Sequence, residues 1–136
     1  MEHIQEIRVL YSDTDSYGVV WHGAYTKWFE AARVEYCEKI GLDIAELESQ
    51  NIVFPVVELN IRYKSSALMN ERIVIKTVIS ELTPLRVTFE HKVYKKDTDI
   101  LRVVAHSTIV SVNGKEKKMM KLPENLYKAF ANSIEK

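Results

Sequence analysis

The chain has a single cysteine, Cys37, among 136 residues, which excludes a disulfide within the chain and rules out a multi-cysteine zinc site. It has no excess of charge either. Nineteen Lys and Arg balance nineteen Asp and Glu, so the broad positive field needed for non-specific nucleic-acid binding is missing, and nucleic acid is not an expected partner. The opening residues MEHIQEIRVLYSD lack a basic start followed by an apolar run, and no later stretch approaches eighteen apolar residues. Stable membrane insertion is therefore not expected, and the cytoplasm is the expected compartment. Internal repeats and low-complexity linkers are absent. So is a G-x-S-x-G elbow, which argues against a serine triad built on Ser12 or Ser16.

What is present suits one folded unit. Apolar residues make up 46% and charged residues 28%, the balance of a globular protein rather than a disordered one. At this length one core is expected, with residues 1–136 forming a single domain.

Hydrophobic spacing divides the chain into elements. Ile7, Val9 and Tyr11 alternate with Arg8, Leu10 and Ser12, a period of two that predicts a first strand ending at Ser12. From about His22 to Ile40 the period lengthens, and Tyr25, Trp28, Phe29, Ala32, Tyr36 and Ile40 fall on one helical stripe. Gly41 is a helix stop, and Asp43 with Glu46 reads as a capping box for a short second helix through about Gln50. Four further strands are predicted around Val57–Tyr63, Ile73–Ile79, Leu85–Val93 and Val104–Val112, joined by turns at Lys95–Asp99 and Asn113-Gly114. Pro123 opens a terminal helix carrying Leu126, Phe130 and Ile134. One long helix followed by consecutive strands argues for an α+β fold, with an antiparallel five-stranded sheet covering the helix, not for βαβ alternation.

Chemistry is expected where the first strand gives way to the long helix, at DTDSYGVVWHGAY, with two acids and two glycines before a helix start. Unpaired N–H groups and the positive end of the helix dipole suit a carbonyl oxygen that gains negative charge during acyl transfer. An aspartate beside it is ionised near pH 7 and activates water or attacks the acyl carbon itself; these residues do not choose between the two. The competing structural reading gives Asp13 and Asp15 only turn and helix-entry hydrogen bonds. Asp13, Asp15 and His22 match no established metal-ligand spacing, and no metal is expected. Tyr25, Trp28, Phe29 and Tyr36 suit a core stripe first and an acyl pocket second. Glu30 and Arg33, three apart, are placed to pair on one helix face.

The segment DTDSYGVVWHGAYTKWFEAAR resembles the DxDxxGxVxxxxYxxxxExAR signature of the 4-hydroxybenzoyl-CoA thioesterase family, which includes the Tol-Pal-associated acyl-CoA thioesterases. Asp13, Asp15, Gly18, Val20, Tyr25, Glu30, Ala32 and Arg33 all match. The resemblance implies a hotdog fold and hydrolysis of an acyl-CoA thioester, with Asp15 as catalytic base or nucleophile and Asp13 as loop support. It also implies that the backbone amide of His22 polarises the thioester carbonyl. The His22 side chain matches the Tol-Pal-associated members, which implies contact with substrate or positioning of water; the competing structural reading is a polar residue exposed at a helix start. Gly18, Val19, Val20 and Tyr25 are the expected substrate-binding residues, joined by Lys64 and Arg86 as basic groups for the phosphates of coenzyme A. Coenzyme A enters as part of the substrate, and no separate cofactor is expected. Where the hydroxybenzoyl members carry a basic cluster, this chain has Thr83-Pro84-Leu85, which points away from their nucleotide-binding mode and aromatic substrate. Dimers, often paired into tetramers with sites between subunits, are the implied assembly. Two rivals remain: a module that binds acyl-CoA or an acyl carrier without turnover, and a hotdog dehydratase.

Overall fold

The computed structural model describes residues 1–135 and contains ten principal elements. In chain order they are β1 (His3–Arg8), α1 (His22–Lys39), α2 (Ile44–Ser49), β2 (Ile52–Val53), β3 (Val56–Tyr63), β4 (Arg72–Leu82), β5 (Arg86–Lys95), β6 (Leu101–Asn113), β7 (Lys118–Met120) and α3 (Glu124–Ile134). Every pairing is antiparallel. β1, β4, β5 and β6 lie side by side in that order, and β3 pairs with the far edge of β6. The five long strands are those expected. Two short ones, β2 and β7, add to them by pairing with the last residues of β6, giving seven strands.

The sheet wraps α1, as the hotdog arrangement requires. Ile73, Ile75, Thr77 and Ile79 of β4 point inward, as do Val87, Phe89, His91 and Val93 of β5 and Val103, Ala105 and Ser107 of β6; all are buried. They meet Ala24, Tyr25, Trp28, Phe29, Ala32, Tyr36 and Cys37 on the inner stripe of α1. Within this core His91 joins three strands. Its Nδ1 lies 2.8 Å from the Thr77 hydroxyl and its Nε2 3.0 Å from the Ser107 hydroxyl. Phe29 stacks on the imidazole at 4.6 Å. Burial, the largest cause, and then the nearby Arg33 push the His91 pKa down to about 3, so the ring is neutral at pH 7.

Local chemistry sets the element ends. α1 stops because Gly41 adopts φ +86°, allowing Leu42 N–H to bond Cys37 O and Gly41 N–H to bond Glu38 O, the paired closure of a Schellman motif. Asp43 caps α2 by accepting from Glu46 N–H at 3.2 Å. Two boundaries differ from the sequence-based expectation. β1 ends at Arg8, not Ser12, because the Asp13 carboxylate takes the Leu10 N–H at 2.9 Å and turns Tyr11–Asp13 into a 3₁₀ turn, leaving Tyr11 82% exposed. On α3, Leu126 and Phe130 are buried, but the third inward residue is Ser133 while Ile134 is exposed. A step of three keeps closer to the 3.6-residue turn here, and Ser133 Oγ meets Tyr36 OH at 2.7 Å.

Candidate active site

The segment between β1 and α1 closes on itself. Thr14 and Val20 form a bridge, Asp15 N–H donates to Val19 O at 2.9 Å, and Gly18 N–H donates to Asp15 O at 3.0 Å. Gly18 sits at φ +77° with open space where a Cβ would go, so it is the backbone turn that calls for glycine. Trp21 N–H then donates to Asp13 O at 3.1 Å. This bond draws the acidic stretch alongside the start of α1.

Asp15 is exposed and held by one oxygen. Its Oδ1 accepts from Tyr17 N–H at 2.8 Å and Val19 N–H at 3.4 Å, while Oδ2 has no hydrogen-bond partner among the described residues. The turn-forming role foreseen for an aspartate and an oxygen without a hydrogen-bond partner thus coexist in one side chain. Asp13 spends its carboxylate on the Leu10 amide, a supporting position.

At the helix start no side chain caps the first turn. Among the described residues the N–H groups of His22 and Gly23 have no acceptor, so they remain directed at whatever approaches the helix end. The Trp21 indole lies across Gly23, where an added Cβ would fall 2.2 Å from a ring carbon. It also meets the His22 ring edge-on at 5.4 Å. With Trp21 45% exposed, an aromatic wall borders the amides.

The remaining wall comes from the crossover between β3 and β4. Val20 N–H donates to Ala67 O at 2.9 Å, and Val19 bridges Leu68. The crossover is anchored by a pair that sequence spacing did not reveal. Arg102 of β6 meets Glu71 at 2.9 Å and the Ser65 hydroxyl at 3.0 Å, and Glu71 also accepts from Leu68 N–H at 3.3 Å. Both side chains are nearly buried, at 13% and 9% exposure. Only the thirty-one-residue separation of two opposite charges hid this, since no local period links them.

Among the other predicted residues, Lys64 is exposed at this end of the sheet, its N–H bonded to Arg102 O. Val20 and Tyr25 are buried, Tyr25 at 1% exposure with ring contacts to Trp28, Phe29 and Tyr63, so it packs the core beneath the site. Burial raises the Tyr25 hydroxyl to about 12. Arg86 lies at the opposite end of the sheet, paired with Val110, so within one chain it is not brought to Asp15. Glu30 and Arg33 do not form an ion pair with each other.

Comparisons with known proteins bear on the family and the fold. Residues 9–130 match the model of the thioesterase-like superfamily. A putative esterase of Synechocystis is 36% identical over 86% of this chain and 71% of its own length. The acyl-CoA thioesterase YbgC of Haemophilus influenzae is 29% identical over 91% of this chain and 90% of its own. Among solved structures, a DHNA-CoA thioesterase from Staphylococcus aureus superposes with a TM-score of 0.90 at 29% identity, over 96% of this chain and 89% of that one.

Proposed function

Because this chain belongs to the thioesterase-like superfamily, we propose that it hydrolyses an acyl-CoA thioester to a free acid and coenzyme A, with Asp15 as the carboxylate on which the step depends. The observation carrying this reading is the pairing of a half-anchored carboxylate with unspent amides. Asp15 is fixed through Oδ1 and open at Oδ2, and the chain between it and α1 is pinned back onto a helix start whose first N–H groups are free.

Used as a base, Oδ2 takes a proton from water as the water oxygen bonds to the acyl carbon. The carbonyl electrons move onto oxygen, where His22 N–H donates a hydrogen bond to the growing charge. Collapse breaks the C–S bond, and the departing thiolate takes up the proton held by Asp15. Used as a nucleophile, Oδ2 bonds to the acyl carbon directly and expels the thiolate; water then cleaves the mixed anhydride. Either route draws on a carboxylate, an amide and water alone. Gly18 and Val19 shape the turn, Val20 and Tyr25 support it, and the His22 imidazole lies where it touches substrate or orients water.

A second copy completes the site in this reading. β3 is an edge strand. Its partner-free edge is a template for pairing, and Leu59 and Tyr63 remain 38% and 54% exposed on the face that Ile61 turns to the core. Antiparallel pairing of two β3 strands gives a homodimer with a continuous sheet, and a pair of dimers a homotetramer. It sets the far end of the second copy beside the Asp15 end of the first, the arrangement through which Arg86 would reach coenzyme A together with Lys64. The reading places the protein in the cytoplasm.

Thiol release from a panel of short, long and aromatic acyl-CoAs tests the function. Turnover of at least one is expected. Tight binding of acyl-CoA without thiol release would favour the binding module, and alkene formation the dehydratase.

A further inference from the structure

The motif residues Glu30 and Arg33 feel each other's charge within the chain but lie too far apart for an ion pair, and the site does not use them. Arg33 is half-buried, and the loss of water lowers its pKa. It makes no hydrogen bond, and no carboxylate lies within ion-pair distance among the described residues. Glu30, one turn earlier and exposed, likewise has no cation at that distance. A cation taken partly out of water with no carboxylate in contact, and only the more distant charge of Glu30 to offset the loss, is costly.

Their direction is fixed by the neighbours of α1. One flank of the helix faces β1, where Glu35 lies 3.5 Å from His3. The other carries Glu30, Arg33, Val34 and Cys37, which line a cavity of about 100 Å³ with Phe54 and Ile109 of β6. Beyond β6 on this side lie β3 and, at the end nearer Asn113, the two residues of β2, with Ile44 of α2 also lining the cavity, so this flank overlooks the inner face of the edge strand β3.

Their level along that strand is fixed as well. Phe29 stacks on His91, whose row across the sheet continues through Ala105 to Ile61. Tyr36 meets Phe89 at 5.4 Å, and that row runs through Ser107 to Leu59. Arg33, between Phe29 and Tyr36, therefore stands abreast of Asn60, close to the middle of β3. A two-fold axis through the middle of β3 runs the second α1 antiparallel to the first, with these flanks facing.

We infer that Arg33 of each copy takes Glu30 of the other as its counter-ion, so that two reciprocal ion pairs lock the dimer across its two-fold axis. The inference rests on the β3 pairing described above. An isologous interface requires that if residue 30 meets residue 33, residue 33 meets residue 30, and two opposite charges one turn apart on the facing helices meet that requirement.

Charge reversal provides the test. Sedimentation is measured for wild type, Glu30→Arg, Arg33→Glu and a 1:1 mixture of the two variants. The wild type is expected to be dimeric, and each variant alone to dissociate roughly tenfold or more readily, since like charges then face each other twice. In the mixture both contacts become complementary again, and a heterodimer returns. Variants that dimerise like wild type, or a mixture that stays dissociated, would overturn the inference, the latter because a contact within one chain gains nothing from mixing. A monomeric wild type would overturn it together with the β3 pairing. Should Arg33→Glu not melt cooperatively, Glu30→Gln, Arg33→Gln and their double variant carry the test. Each single should weaken the dimer and the double no more than one of them; additive effects would count against the pair. Thiol release by the same wild-type sample is scored separately, so a heterodimer restored alongside an inactive wild type would leave the inference standing and remove only the catalytic reading.

Discussion

His91 shows what a single buried polar residue costs and contributes. Its two ring nitrogens meet hydroxyls from β4 and β6, and Phe29 seals it from water. Its pKa in the fold, about 3, lies below the value near 6.5 expected of an unfolded chain. The sign follows directly: the fold prefers the neutral ring, so the stability this preference confers is present above about pH 6.5 and is lost as pH falls from there toward 3. Thermal midpoints should accordingly drop by several degrees between pH 6.5 and 4.5, above most carboxylate titration. His91→Gln, whose amide stays neutral while still reaching one or both hydroxyls, should flatten that slope at some cost in absolute stability. An unchanged slope would mean that another group sets the acid limit. Alternation along β5 predicted the inward orientation of position 91; that its partners would be Thr77 and Ser107 depended on strand register, which the sequence does not specify.

Among the elements, the legible ones have either a long period or a strong cap. α1 was readable because six apolar residues keep helical spacing over its length and Gly41 ends it. The end of β1 was not, since Tyr11 continues the alternation while the Asp13 carboxylate redirects the backbone. β2 and β7, two and three residues long, are too short to show a period at all. The crossover between β3 and β4 depends on Arg102 and Glu71, which no local pattern connects. Arg102→Met should cost about 3 to 5 kcal/mol, because it strands the Glu71 carboxylate in a nearly dry place. The measurement is chemical denaturation, and a loss below about 1 kcal/mol would show that Glu71 finds water easily. Hydrogen exchange at Val20 should quicken in that variant, because its acceptor, Ala67 O, belongs to the loosened segment.

At the scale of the whole molecule, β3 has an edge with no strand partner among the described residues, and the Asp15 loop lies toward the Tyr63 end of that strand. Placing a lysine on the inner face of β3, as in Leu59→Lys, should convert the proposed dimer to monomers, a device by which natural edge strands resist pairing. Sedimentation would detect it, and an undisturbed dimer would move the interface elsewhere. The sequence located the Asp15 loop and the helix start because both lie in one contiguous motif. It offered no way to see that Arg86 would stand at the far end of the sheet, since that depends on how the strands are laid side by side. The central claim is the chemistry of Asp15, and Asp15→Asn isolates it: the amide oxygen still accepts from Tyr17 N–H, while the charge is gone. Thiol release from the best acyl-CoA substrate should fall about 10²- to 10⁴-fold with substrate binding largely retained. Release at the wild-type rate would contradict the assignment of Asp15 as the catalytic carboxylate.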